Sequence, residues 1–515
     1  MFRQSGSSAP PQQPESFVSV ALFVSVCLIA ACGLIYELVA GALASYLLGD
    51  SVTQFSTVIG TYLFAMGIGS WLSRYVVRGV VTRFVQVELL VGVIGGFSSM
   101  LLFLAFAYTS AFRPVLYGIV LMIGTLVGLE IPLLMRILRE RFAFKDVIAN
   151  VLTFDYIGAL GASLLFPLLL VPRLGLVRSA LLFGLINVFV ALWSIHLFRD
   201  SLPTRRPLQL VALFTIALLG VGFWKGQAIT SMAEDGMYAD EVILARDTRY
   251  QRIILTSWKD DLRLYLNGHL QFASRDEYRY HESLVHPGLA ASATKAEILV
   301  LGGGDGLAVR EILKYSDVQR VTLVDLDEEM TSLFQTHPRL TQLNDRALND
   351  ARVKVVNADA FTWLDSTRVK YDFVVIDFPD PSNYHVGKLF TSAFYRLVQQ
   401  HLAPEGFLVV QATSPMFARQ SFWSIVSTLD AAGLQTWPYH AYVPSFGEWG
   451  FVVAGRRAYT VPTALPAGLR YLTANTLPSL FDFPTDMARV AALPNRLNDQ
   501  VLVRYYEHEY DAINR

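Results

Sequence analysis

The stretch that decides the fold is ILVLGGGDGLAVREILKY, residues 298–315. An apolar run leads into three glycines, an aspartate and a fourth glycine, and a helical pattern follows. A turn that only brought the backbone close to a phosphate would need glycines alone, because a carboxylate at its tip repels an anion. Asp305 favours an ammonium or a hydroxyl instead. The stretch therefore predicts a turn that binds a cationic nucleoside.

Apolar strands alternate with helical patterns from residue 296 onward. The predicted strands are 298–302, 321–327, 353–357, 373–378, 407–412 and 451–455. This alternation is typical of a doubly wound α/β sheet, whose site lies at the carboxyl ends of its strands. Short alternating runs around Asn267-Gly268 predict a small antiparallel β-hairpin section before it. We therefore assign 237–295 to that section and 296–515 to a Rossmann-like domain.

The amino-terminal part is much more apolar than the rest. The whole chain is 53% hydrophobic and only 17% charged, and its long apolar runs lie before Trp224. Seven runs are long enough to cross about 30 Å of hydrocarbon, namely 17–40, 52–73, 84–108, 111–135, 147–172, 176–198 and 207–224. We predict an α-helical membrane domain over 17–225, after a disordered lead-in at 1–16. A soluble helical bundle is the alternative, which seven such runs disfavour.

Charge and cysteine content exclude several classes of protein. The formal net charge of −1 gives no indication of nucleic-acid binding. The two cysteines, Cys27 and Cys32, fall in one apolar run, so they do not form a disulfide framework.

Basic residues between the runs indicate an orientation in a membrane. The loops after runs two, four and six carry ten of them, and the other short loops carry three. This places the amino terminus and the even-numbered loops in the cytoplasm, so seven crossings would put the following domain outside. We nevertheless expect that domain on the cytoplasmic side, where nucleoside metabolites are made. The last run has only 17 residues and could lie at the membrane interface instead.

Three carboxylates stand inside the apolar runs, at Glu37, Glu130 and Asp155. An ionisable group within a membrane is costly, so its default interpretation is an ion or amine pathway. The alternatives are that these groups cap or pair helices, or lie near a wet boundary.

Acidic residues end three further strands. Asp325 ends the second strand, where a carboxylate can accept hydrogen bonds from ribose hydroxyls. Asp359 follows the third strand, either near an adenine amino group or as a helix cap. Asp377 and Asp380 follow the fourth on a proline-stiffened turn. A carboxylate near a primary amine can act as its general base, and several acids suit a polyamine, although a capped loop would also explain this pair.

The region from about 237 to 455 resembles the spermidine synthases, the polyamine aminopropyltransferases. The resemblance depends on an ordered set of matches rather than on any single one. They are Tyr250-Gln251, Gln271, Asp276-Glu277-Tyr278-Arg279-Tyr280-His281-Glu282, the GGGDG turn, Val324-Asp325-Leu326-Asp327, Ala358-Asp359, Asp377-x-x-Asp380-Pro381, Leu389-Phe390-Thr391, Val410-Gln411, and Pro444-Ser445-Phe446-Gly447-Glu448-Trp449-Gly450-Phe451. The preceding apolar runs resemble those of the membrane-embedded bacterial forms.

The resemblance implies a transfer of propylamine from decarboxylated S-adenosylmethionine to putrescine or a similar polyamine, with no permanent cofactor and no metal. It implies that Asp377 is the general base, and that Tyr280 and Asp380 orient the acceptor. It further implies that Asp305 and His281 hold the amine of the moving group, while Asp325 binds the ribose and Asp359 the adenine. The other implied site residues are Gln251, Gly302 and Gly304 in the donor site, and Gln271, Gln411 and Trp449 along the cleft.

Two departures from the family pattern concern the pocket. Phe378-Pro379 stand between the paired aspartates where small residues are usual, and no Gly-Pro follows them. The ribose acid is Asp325 instead of the commoner glutamate. Neither change removes a catalytic group, but the first puts the acceptor end in question.

The sequence thus predicts a multi-pass membrane enzyme that makes spermidine and methylthioadenosine. Two alternatives remain: a methyltransferase that uses intact adenosylmethionine, and a polyamine transporter or sensor with a non-catalytic synthase-like domain. The lipid bilayer is the expected partner, nucleic acid is not, and a homo-oligomer stays open.

Overall fold

The computed structural model describes residues 15–48, 51–109, 111–139, 144–203 and 205–513. Most of the lead-in predicted at 1–16 therefore lies outside the described residues, as does Arg141 of the loop charges. Residues 15 and 16 begin the first helix. The chain divides into two compact units, Met1–Ala239 and Asp240–Arg515.

The first unit is entirely helical in its described part. Its helices are α1 (Glu15–Leu48), α2 (Ser51–Leu72), α3 (Val80–Tyr108), α4 (Phe112–Arg139), α5 (Phe144–Leu165), α6 (Val171–Leu197) and α7 (Arg205–Met237). They enclose one apolar core. Glycines allow close packing: a Cβ on Gly128 of α4 would lie 2.2 Å from the Met66 carbonyl oxygen of α2.

Six continuous helical stretches in the described residues have the length and composition needed to cross a membrane. They are Val20–Leu48, Thr53–Tyr75, Val80–Tyr108, Phe112–Arg139, Val147–Leu197 and Arg205–Gly226. The runs predicted at 147–172 and 176–198 are joined in one stretch, with a break at Gly175, where φ is 72° and ψ is 177°. The last stretch is longer than its apolar run, because the helix begins at Arg205 and continues past Trp224.

The second unit begins with an antiparallel sheet in the order β1-β2-β3-β4. The strands are β1 (Glu241–Asp247), β2 (Arg252–Trp258), β3 (Asp261–Leu266) and β4 (His269–Ala273). Asn267 and Gly268 join β3 to β4 with φ of 50° and 82°, as a two-residue hairpin turn requires. The predicted hairpin is therefore present. The same section also contains a helix, α8 (Glu277–Ala291), which the sequence analysis did not predict.

A seven-stranded sheet follows, in the order β10-β11-β9-β8-β5-β6-β7. Its strands are β5 (Glu297–Gly302), β6 (Arg320–Asp325), β7 (Val353–Asn357), β8 (Tyr371–Asp377), β9 (Leu402–Gln411), β10 (Gln435–Val443) and β11 (Gly447–Gly455). The first five run parallel, and β10 and β11 are antiparallel. The Rossmann-like sheet predicted from the sequence is thus observed, with an antiparallel edge.

Helices and apolar side chains cover both faces of this sheet. The helices are α9 (Leu307–Ile312), α10 (Glu328–Thr336), α11 (Pro338–Leu343), α12 (Ala360–Ser366), α13 (Tyr384–Gly387), α14 (Ser392–His401), α15 (Arg419–Ala431) and α16 (Val501–Ile513). Ile298 and Val300 of β5 belong to one buried cluster, and Leu299 and Leu301 to the opposite one. Because both faces of the parallel strands are buried, their sequences are continuous apolar runs and not alternating ones.

The strand order creates a crevice at the end of β5. The chain proceeds from β5 to β6 on one side, and later returns to place β8 on the other side. Ligands of open α/β sheets bind where the direction of winding reverses. The GGGDG turn follows β5 at this point.

Candidate active site

The GGGDG turn is held against the strands on both of its sides. The Gly303 N–H donates to the Asp377 carbonyl oxygen at 3.0 Å, and the Gly304 N–H donates to the Asp325 carboxylate at 3.1 Å. A Cβ on Gly304 would lie 2.7 Å from that carboxylate. Three glycines of the turn have the positive φ that disfavours side chains, namely Gly302 (80°), Gly303 (62°) and Gly306 (74°).

Asp305 is buried at the tip of this turn, with 8% of its surface exposed. Its carboxylate accepts the Leu307 N–H at 2.9 Å, and Asn344 donates to its carbonyl oxygen at 2.9 Å. Burial raises the pKa of Asp305, an effect that nearby His281 opposes. A buried carboxylate of this kind gains more from a cationic ligand than an exposed one would.

Asp325 ends β6 and accepts a second hydrogen bond from the Asp327 N–H at 2.9 Å. Burial, with Asp327 and Asp305 nearby, raises the pKa of Asp325 to about 6. Asp327 itself accepts hydrogen bonds from Thr248 (2.7 Å) and Gln251 (3.0 Å). Gln251, predicted in the donor site, is thus held at the edge of the crevice through Asp327.

Asp377 ends β8 and accepts a 2.6 Å hydrogen bond from the Tyr280 hydroxyl of α8. Tyr280 is almost fully buried, and its ring packs against Phe451 and Trp449. Burial raises the pKa of Asp377 to about 6; the charge of His281 and the Tyr280 hydrogen bond oppose this rise, and the charge of Asp305 adds to it. The geometry therefore brings together three of the residues predicted at the site, Asp305, Tyr280 and Asp377.

We expect Asp377→Asn to raise the melting temperature more at pH 8 than at pH 4.5. A raised carboxyl pKa means that the fold favours the protonated form; its stabilising contribution is complete below about pH 4 and is lost as the pH rises through about 6. An amide does not titrate, so it avoids this loss. Thermal unfolding of the unliganded protein at both pH values should show a gain of about 2–4 °C at pH 8. Equal differences at both pH values would contradict this explanation.

Asp380 lies on the turn after β8 and accepts three hydrogen bonds. Its donors are Tyr506 of α16 (3.0 Å), Thr413 (3.3 Å) and Gln411 (3.4 Å). Burial raises the pKa of Asp380 to about 6 against the opposing effect of these donors. Trp449 donates to the Gln411 side chain at 3.3 Å. Gln411 and Trp449 therefore lie with Asp380, as predicted for the cleft.

His281 lies near the carboxylates of the crevice and forms a hydrogen bond with Glu277 of the same helix. Its Nδ1 lies 2.9 Å from the Glu277 carboxylate, which two further hydrogen bonds of 2.9 Å join to Arg310. Burial alone lowers the pKa of His281, but Glu277 raises this pKa to about 8, with help from the charges of Asp305 and Asp377. A protonated imidazole repels an ammonium. This charge suits a counter-charge role for His281 beside the carboxylates, and the amine-holding role that the resemblance implies stays a prediction.

Two predicted residues form hydrogen bonds or ion pairs with other groups. Asp359 caps α12 by accepting the Thr362 N–H at 3.1 Å and forms a 2.7 Å ion pair with Lys388, so the alternative helix-cap interpretation is observed. Gln271 of β4 donates to the His269 carbonyl oxygen at 3.1 Å. Within the described residues, no hydrogen bond connects the Gln271 side chain to the cleft carboxylates.

Several contributors to the site were not predicted. Tyr506 and Thr413 reach Asp380 from positions far along the chain, and no local pattern marks them. Glu277 and Arg310 were recoverable in part, since Glu277 stands four residues before His281 and shares its helical face.

A family model and two relatives matched over nearly their full length point to one family. Residues 277–462 match the family described as "Spermine/spermidine synthase domain". The chain is 50% identical to the polyamine aminopropyltransferase of Leptospira interrogans over 500 residues, which cover 96% of this chain and 100% of the relative. It is 54% identical to polyamine aminopropyltransferase 2 of Ralstonia nicotianae over 503 residues, covering 96% and 99%. A crystal structure of spermidine synthase with the transition-state analogue AdoDATO has 22% identity and a TM-score of 0.45, over 47% of this chain and 86% of that one.

Proposed function

Because the chain belongs to the polyamine aminopropyltransferase family, with full-length relatives at 50–54% identity, we propose that it moves propylamine from decarboxylated S-adenosylmethionine to putrescine. The products are spermidine and methylthioadenosine. The observation that carries this proposal is the 2.6 Å hydrogen bond from Tyr280 to Asp377, next to the buried Asp305.

The donor carries two positive charges, on its sulfonium and its ammonium. The crevice offers one carboxylate for its ribose end and another for its ammonium end. Asp325, with its oxygens oriented by backbone N–H groups, takes the ribose hydroxyls. Asp305 takes the ammonium, which is the only charged group at that end of a donor that has lost its carboxylate. An intact donor would bring a second carboxylate against Asp305, and this repulsion provides selectivity.

Transfer requires a neutral acceptor amine. With a pKa of about 6, Asp377 is ionised at neutral pH and can accept the amine proton. The nitrogen then forms a bond to the carbon next to the sulfonium, the carbon–sulfur bond breaks, and its electron pair stays on the sulfur of methylthioadenosine. Tyr280 holds the orientation of Asp377 through its hydrogen bond. Asp380 pairs with the distal ammonium of the acceptor.

A direct assay tests this proposal against its rivals. Purified protein is incubated with putrescine and either decarboxylated or intact adenosylmethionine, and products are identified by mass spectrometry. We expect spermidine and methylthioadenosine with the decarboxylated donor only. Methylated product from the intact donor would establish a methyltransferase, and bound polyamine without product would establish a sensor or transporter.

We expect Tyr506 to influence which acceptor is used. Its hydroxyl bonds Asp380 and its ring packs against Tyr510, with centroids 4.3 Å apart. Tyr506→Phe removes one hydrogen bond from a neutral hydroxyl to a charged carboxylate. The KM for putrescine should therefore rise about 10-fold, with kcat within about twofold of wild type. Tyr506→Ala should also widen acceptance of longer diamines. Tyr505→Phe, on the next residue of α16, is the control. A fall in kcat with unchanged KM would contradict this role.

We further propose that the helical unit is embedded in the cell membrane as a multi-pass domain. Its six apolar stretches support this, as do large apolar side chains exposed on helix surfaces, such as Phe64 (66%), Phe214 (68%) and Trp224 (83%). We place the catalytic unit on the cytoplasmic side, where its donor is made.

A carboxyl-terminal reporter tests that orientation. Alkaline phosphatase fused after residue 515 should be inactive and a fluorescent protein at the same place should be bright, because the former needs an oxidising exterior. Loss of the fusion from the membrane fraction would contradict the embedding. Active phosphatase would place the catalytic unit outside, as seven crossings would require.

A further inference from the structure

The helical unit contains two buried glutamates that the proposed reaction does not use. Glu88 of α3 has no exposed surface, and Glu130 of α4 is 1% exposed. A short connection joins α3 to α4. Glu88 lies eight residues from Val80 and Glu130 nine from Arg139, which is roughly 12–14 Å of helix from the ends opposite that connection. The two carboxylates therefore lie at similar depth in adjacent helices.

The hydrogen bonds of this pair are incomplete. Asn187 of α6 donates to one oxygen of Glu88 at 3.0 Å, and Tyr36 of α1 donates to Asn187 at 3.4 Å. The other Glu88 oxygen and both Glu130 oxygens are buried and have no hydrogen-bond partner among the described residues. None of the fully buried polar residues described in this unit is basic, and the nearest approach to one is the half-buried Arg178, whose Nε is enclosed.

The groups that surround the pair come from four other helices. Glu88 and Glu130 interact electrostatically with each other, and Glu130 also interacts with Asp155 of α5. Cys32 and Tyr36 of α1 interact with both glutamates, and Tyr62 of α2 interacts with Glu130 and with Glu37 of α1. Asn187 of α6 is the neutral polar member of the set. All the titratable groups in this set are acids, thiols or phenols.

Two carboxylates cannot stay ionised in such surroundings without a cation, because the effective cost is several kcal/mol for each buried ion. The unpartnered oxygens of the pair can accept N–H bonds from a primary ammonium, which has three donors and no acceptor of its own. The rings of Tyr36 and Tyr62 add aromatic faces that attract cations. A single proton would satisfy only one of these oxygens.

We propose that Glu88 and Glu130 form a binding site for a primary ammonium group, such as one end of a diamine or polyamine, separate from the catalytic crevice. One further proton on the pair balances the second carboxylate. Only the choice of a polyamine as the probe rests on the proposed function. The site itself stands on the burial and the unpartnered oxygens of the two glutamates.

Equilibrium dialysis of the full-length protein with radiolabelled spermidine tests the site. We expect Glu130→Gln to bind one equivalent less per chain than the wild type. Ser99→Ala, which alters another buried and unpartnered side chain of α3, should lose none. Transfer activity of Glu130→Gln should stay within about twofold of wild type. Equal binding by Glu130→Gln and wild type overturns the proposal, whereas a failed transfer assay affects only the proposed reaction.

Labelling of the wild-type protein gives a second readout that needs no variant to fold. A hydrophobic carbodiimide modifies protonated carboxyl groups in apolar surroundings, and mass spectrometry locates the adduct. We expect Glu130 to be labelled in the amine-free protein and protected at least about tenfold by spermidine, but not by 1,8-octanediol. Labelling that spermidine leaves unchanged would mean that the pair only holds protons. No labelling without amine would also overturn the proposal.

Discussion

Asp377→Asn should lower kcat for propylamine transfer about 10³-fold, which is within the range that a general base contributes. Asn keeps the shape of the side chain and can still accept the Tyr280 hydroxyl hydrogen bond, so the end of β8 should be preserved. What is lost is the proposed acceptor for the amine proton. Donor affinity should remain within about tenfold of wild type, since the proposed donor contacts are those of Asp305 and Asp325.

The measurement is single-turnover transfer with separate titration of donor binding. Asp372→Asn is a matched control, because Asp372 lies on the same strand and its carboxylate bonds the Ala296 and Glu297 N–H groups away from the crevice. We expect its kcat within about twofold of wild type. A kcat near the wild-type value in Asp377→Asn would assign the base elsewhere.

Local patterns were sufficient for the features that depend on neighbouring residues. The glycine turn after β5, the acids at the ends of β6 and β8, and the Asn267-Gly268 hairpin each combine a strand signal with a turn signal. Carboxyl ends of parallel strands meet at one edge, so the convergence of Asp305, Asp325 and Asp377 follows from the fold class.

Features that depend on distant contacts were not recoverable in this way. Tyr506 reaches Asp380 across 126 positions in the chain, and no periodicity within α16 indicates that contact. The strand β10 was missed because Pro438 and scattered polar residues weaken its pattern, which is tolerated at the edge of a sheet. The boundary between the runs predicted at 147–172 and 176–198, by contrast, coincides with the break at Gly175.

The sequence pattern also does not indicate the positive charge of His281. The histidine itself was selected, but its protonation depends on Glu277, which Arg310 holds in place through two hydrogen bonds. Spacing can place Glu277 beside His281 on a helix. It cannot determine that Arg310, from the helix after the glycine turn, completes the network.

Replacing Asp305 by Asn should change the choice of donor. A hydrogen bond to a charged group contributes about 1.5–3 kcal/mol, so kcat/KM with decarboxylated adenosylmethionine should fall roughly 10- to 100-fold. The neutral amide no longer repels the carboxylate of intact adenosylmethionine, so the preference between the two donors should narrow. Competition binding of both donors measures this preference directly, and Asp350→Asn, whose carboxylate pairs with Arg352, is the control. If Asp305→Asn kept the full preference, Asp305 would not contact the ammonium. The aspartate that distinguishes this turn from a phosphate-binding loop would then act only through the Leu307 N–H, as part of the start of α9.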